Sequence, residues 1–508
     1  MRSGLFKLLK WMVALVGVSL LTILAVRAYD SQRGPPLELW HKFVPHEMTT
    51  EQIRDADWKG YVAAEQRLFD EVRTNVTDKL DPESRIAANR YYADSPLYPG
   101  HFAHDWNRSY ILEPVGTPVG AVVLLHGLTD SPYSLRHIAR RYAEDGYVAV
   151  AIRLPGHGTV PSGLTNVEWE QWMEATRLAV REARRRAGTS TPLHLIGFSN
   201  GGALAMKYAI DAIGDKTLAR PDRIVLISPM IGITSLARFA GVFGWPAVFP
   251  PFAKAAWLGI VPEFNPFKYN SFPVNGARQS SLVVRTLQRQ IDQYGREGKL
   301  VELAPVLTFQ SVVDFTVSTR AIVNALYANL PANGSELVLF DINRSARFGP
   351  LLRSSVDNML TRLLPDPPRK FKTTIIANVG PGQPQMVERV TPAGATTEQT
   401  RTLELTYPQD LLSLSHLALP FPMNDPLYGI EPESNEYGAN LGAMSTRGER
   451  GSLIVSMDSL IRTSSNPFFS YMMGRIEEGI GTGTKGAFPT AGASAGALES
   501  TPVTPSAR

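Results

Sequence analysis

The chain has 508 residues, 44% of them apolar and 19% charged, with a formal net charge of +4. That length holds one large decorated domain or two to three smaller ones. A charge so small for the length, with no basic stripe interleaved with aromatics, implies no nucleic-acid partner. Cysteine is absent, which excludes disulfides, cysteine-ligated zinc and a cysteine nucleophile.

Residues 1–28 open with Arg2, Lys7 and Lys10, and Trp11 to Val26 then carries no charge. At 1.5 Å per residue that run spans about 24 Å, short of a bilayer core of about 30 Å. Leu5 to Leu9, with Lys7 and Lys10 snorkelling to the headgroups, brings it close to a full span. The reading is an uncleaved membrane anchor. Basic residues ahead of the span place the body outside the cytoplasm, on the periplasmic side of a bacterial inner membrane. A signal peptide cleaved at Val26-Arg27-Ala28, giving a secreted or periplasmic protein, is the alternative.

Residues 29–110 read as a Pro-punctuated linker and a membrane-proximal helix, "TTEQIRDADWKGYVAAEQRLFDEVRTNV", opened by a Thr49/Gln52 capping box. From 111 to 230 apolar runs alternate with helical segments. "VGAVVLLHG", "YVAVAIRLPGHG", "PLHLIGFS" and "RIVLISPM" read as strands. "SLRHIARRYAEDG" and "VEWEQWMEATRLAVREARRRAG" are helices stopped by glycine. Near-continuously apolar strands separated by helices predict an α/β domain, a mostly parallel sheet covered by helices on both faces. An aromatic, proline-rich stretch at 231–304 interrupts the alternation and is expected to cap the edge of the sheet. The core resumes over 305–475 with "PVLTFQSVVD", "TRAIVNALYANL" and "ELVLFDIN", and holds a further insertion at 344–408. Residues 476–508, small, polar and Pro/Gly-rich, read as a disordered tail.

The chemistry centres on Gly197-Phe198-Ser199-Asn200-Gly201, a G-x-S-x-G pattern between a strand and a helix. That is the context of a nucleophile elbow, in which glycines permit a strained turn. A serine hydroxyl needs a base to take its proton and an acid to orient that base, and on such an elbow the order is Ser, Asp/Glu, His. Of nine histidines, His416 alone follows Ser199, so it is the candidate base. Asp314, ending "VLTFQSVVD", is the candidate acid, with Asp341 as the fallback. The backbone N–H groups of Leu128, in "LLHGLTDSP", and of Asn200 are the candidate oxyanion donors. His126 is expected to prop its loop, and His157, in "LPGHG", to stand behind the site.

"LLHGLTDSP", "LPGHG", "GFSNGG" and the terminal "SH" together resemble motifs of the α/β-hydrolase fold. Residues 118 to 420 are similar to the branch of monoacylglycerol lipases, serine-aminopeptidase-like hydrolases and small bacterial carboxylesterases. The resemblance implies a serine hydrolase that cleaves carboxylic esters through an acyl-enzyme on Ser199, with Asp314 and His416 completing the triad. It implies no cofactor, no metal, and a cap that shapes acyl selectivity. The expected partners are a small-molecule or lipid ester and, through the N-terminal segment, a membrane. A peptidase, amidase or acyltransferase of the same fold is the alternative, as is a catalytically silent binding scaffold. The chain departs from the family in the block before His416 and in its N-terminal hundred residues.

Overall fold

The computed structural model describes residues 2–31, 34–232, 250–346, 359–444 and 461–480. Parts of the expected cap, of the 344–408 insertion and of the tail lie outside these residues.

Ten strands form one sheet: β1 (Tyr110–Leu112), β2 (Gly120–Leu125), β3 (Tyr147–Ile152), β4 (Leu193–Phe198), β5 (Arg223–Ile227), β6 (Val306–Ser311), β7 (Glu336–Phe340), β8 (Lys372–Asn378), β9 (Gln385–Thr391) and β10 (Gln399–Thr406). Their order across the sheet is β1-β3-β2-β4-β5-β6-β7-β8-β9-β10. From β3 to β8 every neighbour is parallel. Antiparallel β1 closes one edge, and β9 and β10 close the other. All six strands anticipated from apolar runs are present. The 344–408 segment, anticipated as an insertion, carries the sheet three strands further.

Strand alternation divides the core in two. Val123 and Leu125 face one side, with α5 (Trp169–Ala187), α6 (Asn200–Gly214) and α7 (Val274–Arg296). Val122 and Leu124 face the other, with α4 (Arg136–Glu144) and α8 (Phe469–Glu477). β2 to β7 are buried along their whole length, which is why these strands show unbroken apolar runs rather than alternation. Each Val, Leu or Ile so buried contributes about 1.5–3 kcal/mol.

At the N-terminus α1 (Arg2–Ser31) contains an 18-residue window, Phe6–Ile23, of mean hydropathy 1.8 with none of it buried. By length and composition it suffices to cross a membrane. The single helix expected after it is two, α2 (Thr50–Asp55) and α3 (Trp58–Asn75). The break is local chemistry: Asp57 caps the second helix by accepting from Gly60 N–H at 2.7 Å, which takes its own backbone out of the helix. The Thr49/Gln52 capping box is formed at the start of the first.

The region read as linker is docked on the body. Arg153, 1% exposed and just after β3, receives a bidentate clasp from Glu47 at 2.8 and 3.0 Å. It also bonds Glu65 of α3 at 3.1 Å, while Tyr61 donates to its carbonyl. Two carboxylates around one buried guanidinium satisfy its charge and its fork geometry. At the other terminus, Ile476 to Ile480, assigned to the tail by composition, are packed: Tyr147 donates to Ile480 O and Arg223 to Ile476 O. The small polar composition begins beyond them, at 481–508, outside the described residues.

Candidate active site

Ser199 stands between β4 and α6 at φ 55, ψ −116, a left-handed conformation for a non-glycine residue. Its carbonyl accepts from Gly202 N–H at 3.0 Å and Met230 N–H at 2.9 Å, and its N–H donates to Ile227 O at 3.0 Å. The flanking glycines are steric necessities. A Cβ on Gly201 would lie 1.9 Å from Leu125 O, and one on Gly197 2.3 Å from Gly201 O. The elbow is therefore wedged directly against the end of β2, and Gly127 approaches Ser199 closely for the same reason.

Asp314 follows β6, and its side chain is fully buried. His416 comes from the loop after β10 and donates from Nδ1 to Asp314 Oδ2 at 3.0 Å. The donation leaves Nε2 as an acceptor, the role a general base needs. The imidazole lies against the ring of Phe198, 5.2 Å between centroids and 29° between planes. The imidazole is thus seated on the residue before Ser199, 4% exposed like Ser199 itself. Among the described residues Ser199 Oγ forms no hydrogen bond to the imidazole. Such contacts are commonly long without substrate and tighten in the Michaelis complex.

Asp314 is over-determined. Its Oδ1 accepts from Thr316 N–H at 2.7 Å and Val317 N–H at 3.1 Å. Its Oδ2 receives a second donor, Gln310 Nε2, at 3.1 Å. Burial works to raise its pKa, but the His416 bond and charge and the two amides outweigh it and hold the carboxyl below its ordinary value. Asp341, the fallback acid, is turned elsewhere: it pairs with Arg344 at 3.3 Å.

The amides of Leu128 and Asn200 both lack an acceptor among the described residues. Asn200 opens α6, where the helix dipole favours negative charge. α7 begins against both: Gly276 faces Leu128, and Ser280 Oγ donates to Asn200 Oδ1 at 2.9 Å. His126 holds its loop as anticipated, Nδ1 donating to Gly127 O and Nε2 accepting from Leu154 N–H. His157 donates to the Pro155 carbonyl and packs edge-on to His126, at 5.0 Å. Burial pushes its pKa down to about 3, so it is neutral. Among the described residues no cluster of three or more His, Asp or Glu is placed to hold a metal ion.

Gln310, Phe198 and the Arg153 cluster were not anticipated. A glutamine inside the apolar run "VLTFQS" was the one available signal, since buried amides are kept where they are bonded.

The strand order, the positive-φ serine directly after β4, the fourth strand across the sheet, and the histidine loop after the last strands define an α/β-hydrolase fold. Residues 116–341, less than half of the chain, match the family model described as serine aminopeptidase, S33, and this stretch is similar to the lipase, esterase and serine-aminopeptidase-like branch of that fold. It is 34% identical over 92 residues to the thermostable monoacylglycerol lipase of Bacillus sp. (strain H-257), a match covering 18% of this chain and 35% of that enzyme. The chain thus spans about a third of the curated relative's length. Among solved structures it is similar to the Paleococcus ferrophilus monoacylglycerol lipase, at 19% identity over 50% of this chain and 99% of that one, TM-score 0.34. A soluble variant of the Saccharomyces cerevisiae monoglyceride lipase is similar at 14% identity, over 46% and 81%, TM-score 0.36.

Proposed function

We propose that the protein is a serine hydrolase of carboxylic esters, with Ser199 as nucleophile, His416 as general base and acid, and Asp314 as the group that orients the imidazole and stabilises the imidazolium that forms. The carrying observation is the His416–Asp314 bond on the wall of Phe198, beside a serine in a left-handed turn.

His416 Nε2 takes the Ser199 proton as Oγ attacks the ester carbonyl. The oxyanion forms toward the free N–H groups of Leu128 and Asn200. Collapse breaks the bond to the alcohol, which leaves with the proton from His416. Water then attacks the acyl-enzyme, His416 taking its proton, and the carboxylic acid departs from a regenerated serine. The similarity to monoacylglycerol lipase supports a lipid or other apolar ester as substrate. The apolar, unburied Phe6–Ile23 window supports a membrane anchor, with the catalytic domain outside the cytoplasm. The 231–304 segment, whose α7 lies against both oxyanion donors, is read as the element that shapes the acyl pocket.

An ester panel of rising acyl length, with Ser199→Ala beside the parent, tests the reading. Expected are turnover by the parent, loss of at least about a thousandfold in the variant, and fluorophosphonate labelling that Ser199→Ala abolishes. Full turnover by the variant sinks it.

A further inference from the structure

The N-terminal helix is tied to the segment that lies over the site. α1 comes against the short 3₁₀ helix Pro250–Ala256. Lys254 Nζ donates at 3.3 Å to the carbonyl of Gly34, just past the end of α1. A little further on, His41 is buried against the same segment. Its Nε2 bonds Ser271 Oγ at 3.0 Å, and its ring stands edge-on to Trp257, at 4.8 Å and 85°. Trp257–Gly259 and Phe272–Pro273 pair as an antiparallel ribbon. The 3₁₀ helix and the ribbon are therefore both held by the chain that emerges from α1.

The ribbon leads straight into the site. Pro273 is followed without a break by α7, whose Gly276 faces Leu128 and whose Ser280 bonds Asn200. Between the two ribbon strands, Tyr269 N–H donates to Thr129 O at 2.7 Å, and Phe267 stacks on Tyr133 at 4.0 Å and 10°. The ends of β4 and β6, where Ser199 and Asp314 stand, thus lie on the side of the body that carries the contacts to α1. Leu258, in the ribbon, is left 42% exposed there. A leucine gains about 1.5–3 kcal/mol only where it leaves water, and the unburied apolar window Phe6–Ile23 brings lipid to this side. Val115 marks the opposite side. It is fully exposed in the turn before β2, about 20 Å of strand away from the oxyanion loop.

We propose that the face formed by Pro250–Ala256 and the ribbon rests on the lipid bilayer that holds α1, and that esters reach Ser199 from that leaflet. The proposal rests on the readings of α1 as a membrane anchor and of Ser199 as an ester-hydrolysing nucleophile. It adds the surface that meets the lipid and the source of the substrate, and leaves the chemistry at Ser199 unchanged.

The absence of cysteine makes single-site labelling possible in the full chain. Leu258→Cys and Val115→Cys, each carrying a bimane, are reconstituted into phosphatidylcholine vesicles with and without a spin-labelled phosphatidylcholine. The probe at 258, set at the headgroup boundary, should lose emission about twofold or more to the spin label, and the probe at 115 should keep it. No quenching at 258, or equal quenching at both positions, overturns the proposed surface. Flotation with the vesicles is the control: a chain that does not float overturns the anchor reading as well. The source of the substrate is read from a ratio, turnover of monooleoylglycerol in the vesicles over turnover of nitrophenyl acetate in the water. Leu258→Asp should lower that ratio about fivefold or more, whatever happens to the absolute rates. An unchanged ratio, or parent turnover of nitrophenyl acetate alone, overturns the leaflet as source and leaves ester hydrolysis standing. Turnover of neither ester, with Ser199 unlabelled by a fluorophosphonate, overturns the hydrolase reading and with it the leaflet source, while quenching still decides the surface.

Discussion

Replacing Asp314 by Asn exchanges one carboxylate oxygen for NH2 and should cost about four orders of magnitude in kcat. Asp314 Oδ1 faces two backbone donors, the N–H groups of Thr316 and Val317, and Oδ2 faces two side-chain donors, His416 Nδ1 and Gln310 Nε2. An asparagine must keep its carbonyl oxygen toward the two amides, because an NH2 there meets two donors that cannot turn. The NH2 then falls at the Oδ2 position. To accept from it, His416 must carry its proton on Nε2, which removes the acceptor that Ser199 needs. The fold should survive, since shape and volume are kept, but the wrong tautomer should lower kcat about ten-thousandfold, or about 5.5 kcal/mol at the barrier. Single-turnover kinetics on an activated ester, with thermal unfolding as the control, measure both sides. A fall of less than about tenfold in a stably folded variant would refute the assignment of Asp314 as the orienting acid. Gln310→Leu, which takes one donor from Oδ2 and leaves the tautomer unchanged, should cost far less.

Arg153→Met should destabilise the fold by about 3–5 kcal/mol, because Glu47 and Glu65 lose the buried charge they share; denaturant unfolding that loses less than 1 kcal/mol would show that the clasp does not hold the N-terminal region. Gly201→Ala should yield no soluble folded protein, since its Cβ would sit 1.9 Å from Leu125 O; normal expression and circular dichroism would contradict the packing of the elbow. Acid should weaken the fold before it protonates carboxylates. Burial is the first cause of depressed pKa values at His41 and His137, about 4, and at His157 and His194, about 3. Below the ordinary 6.5 the unfolded chain takes up protons that the folded chain refuses, so this stability is complete above 6.5 and lost as pH falls toward 4. Thermal midpoints at pH 7 and pH 5 should therefore fall in that order, and a flat profile would count against buried neutral histidines.

Backbone-scale features read well from the chain because they are local. Unbroken apolar runs marked the parallel strands, since two covered faces leave no polar alternation, and the glycines around Ser199 marked a turn that only they can make. His416 was reachable by chain order alone. What did not read were contacts between distant segments. Nothing near Glu47 or Glu65 in sequence announces that both will meet Arg153, 106 and 88 residues away. The Pro-punctuated stretch around Glu47 looked like a linker for that reason. The two-helix break at Asp57 was missed because the apolar spacing runs through it, while one side-chain cap decides it. The strands of the 344–408 segment carry more polar residues than the core strands, so their membership in the sheet depended on what lay beside them.

Those three strands have a consequence for how the site is born. The proposed acid and base, Asp314 and His416, are 102 residues apart, and the chain between them runs outward along the sheet before it returns. A nascent chain can build the serine elbow, and even the seat for the acid, while the base is still unmade. The proposed hydrolytic centre would therefore be silent during most of synthesis and come into being only once the far edge of the sheet has been laid down. A single proteolytic cut in that outward excursion would loosen the base from a nucleophile that remains correctly folded.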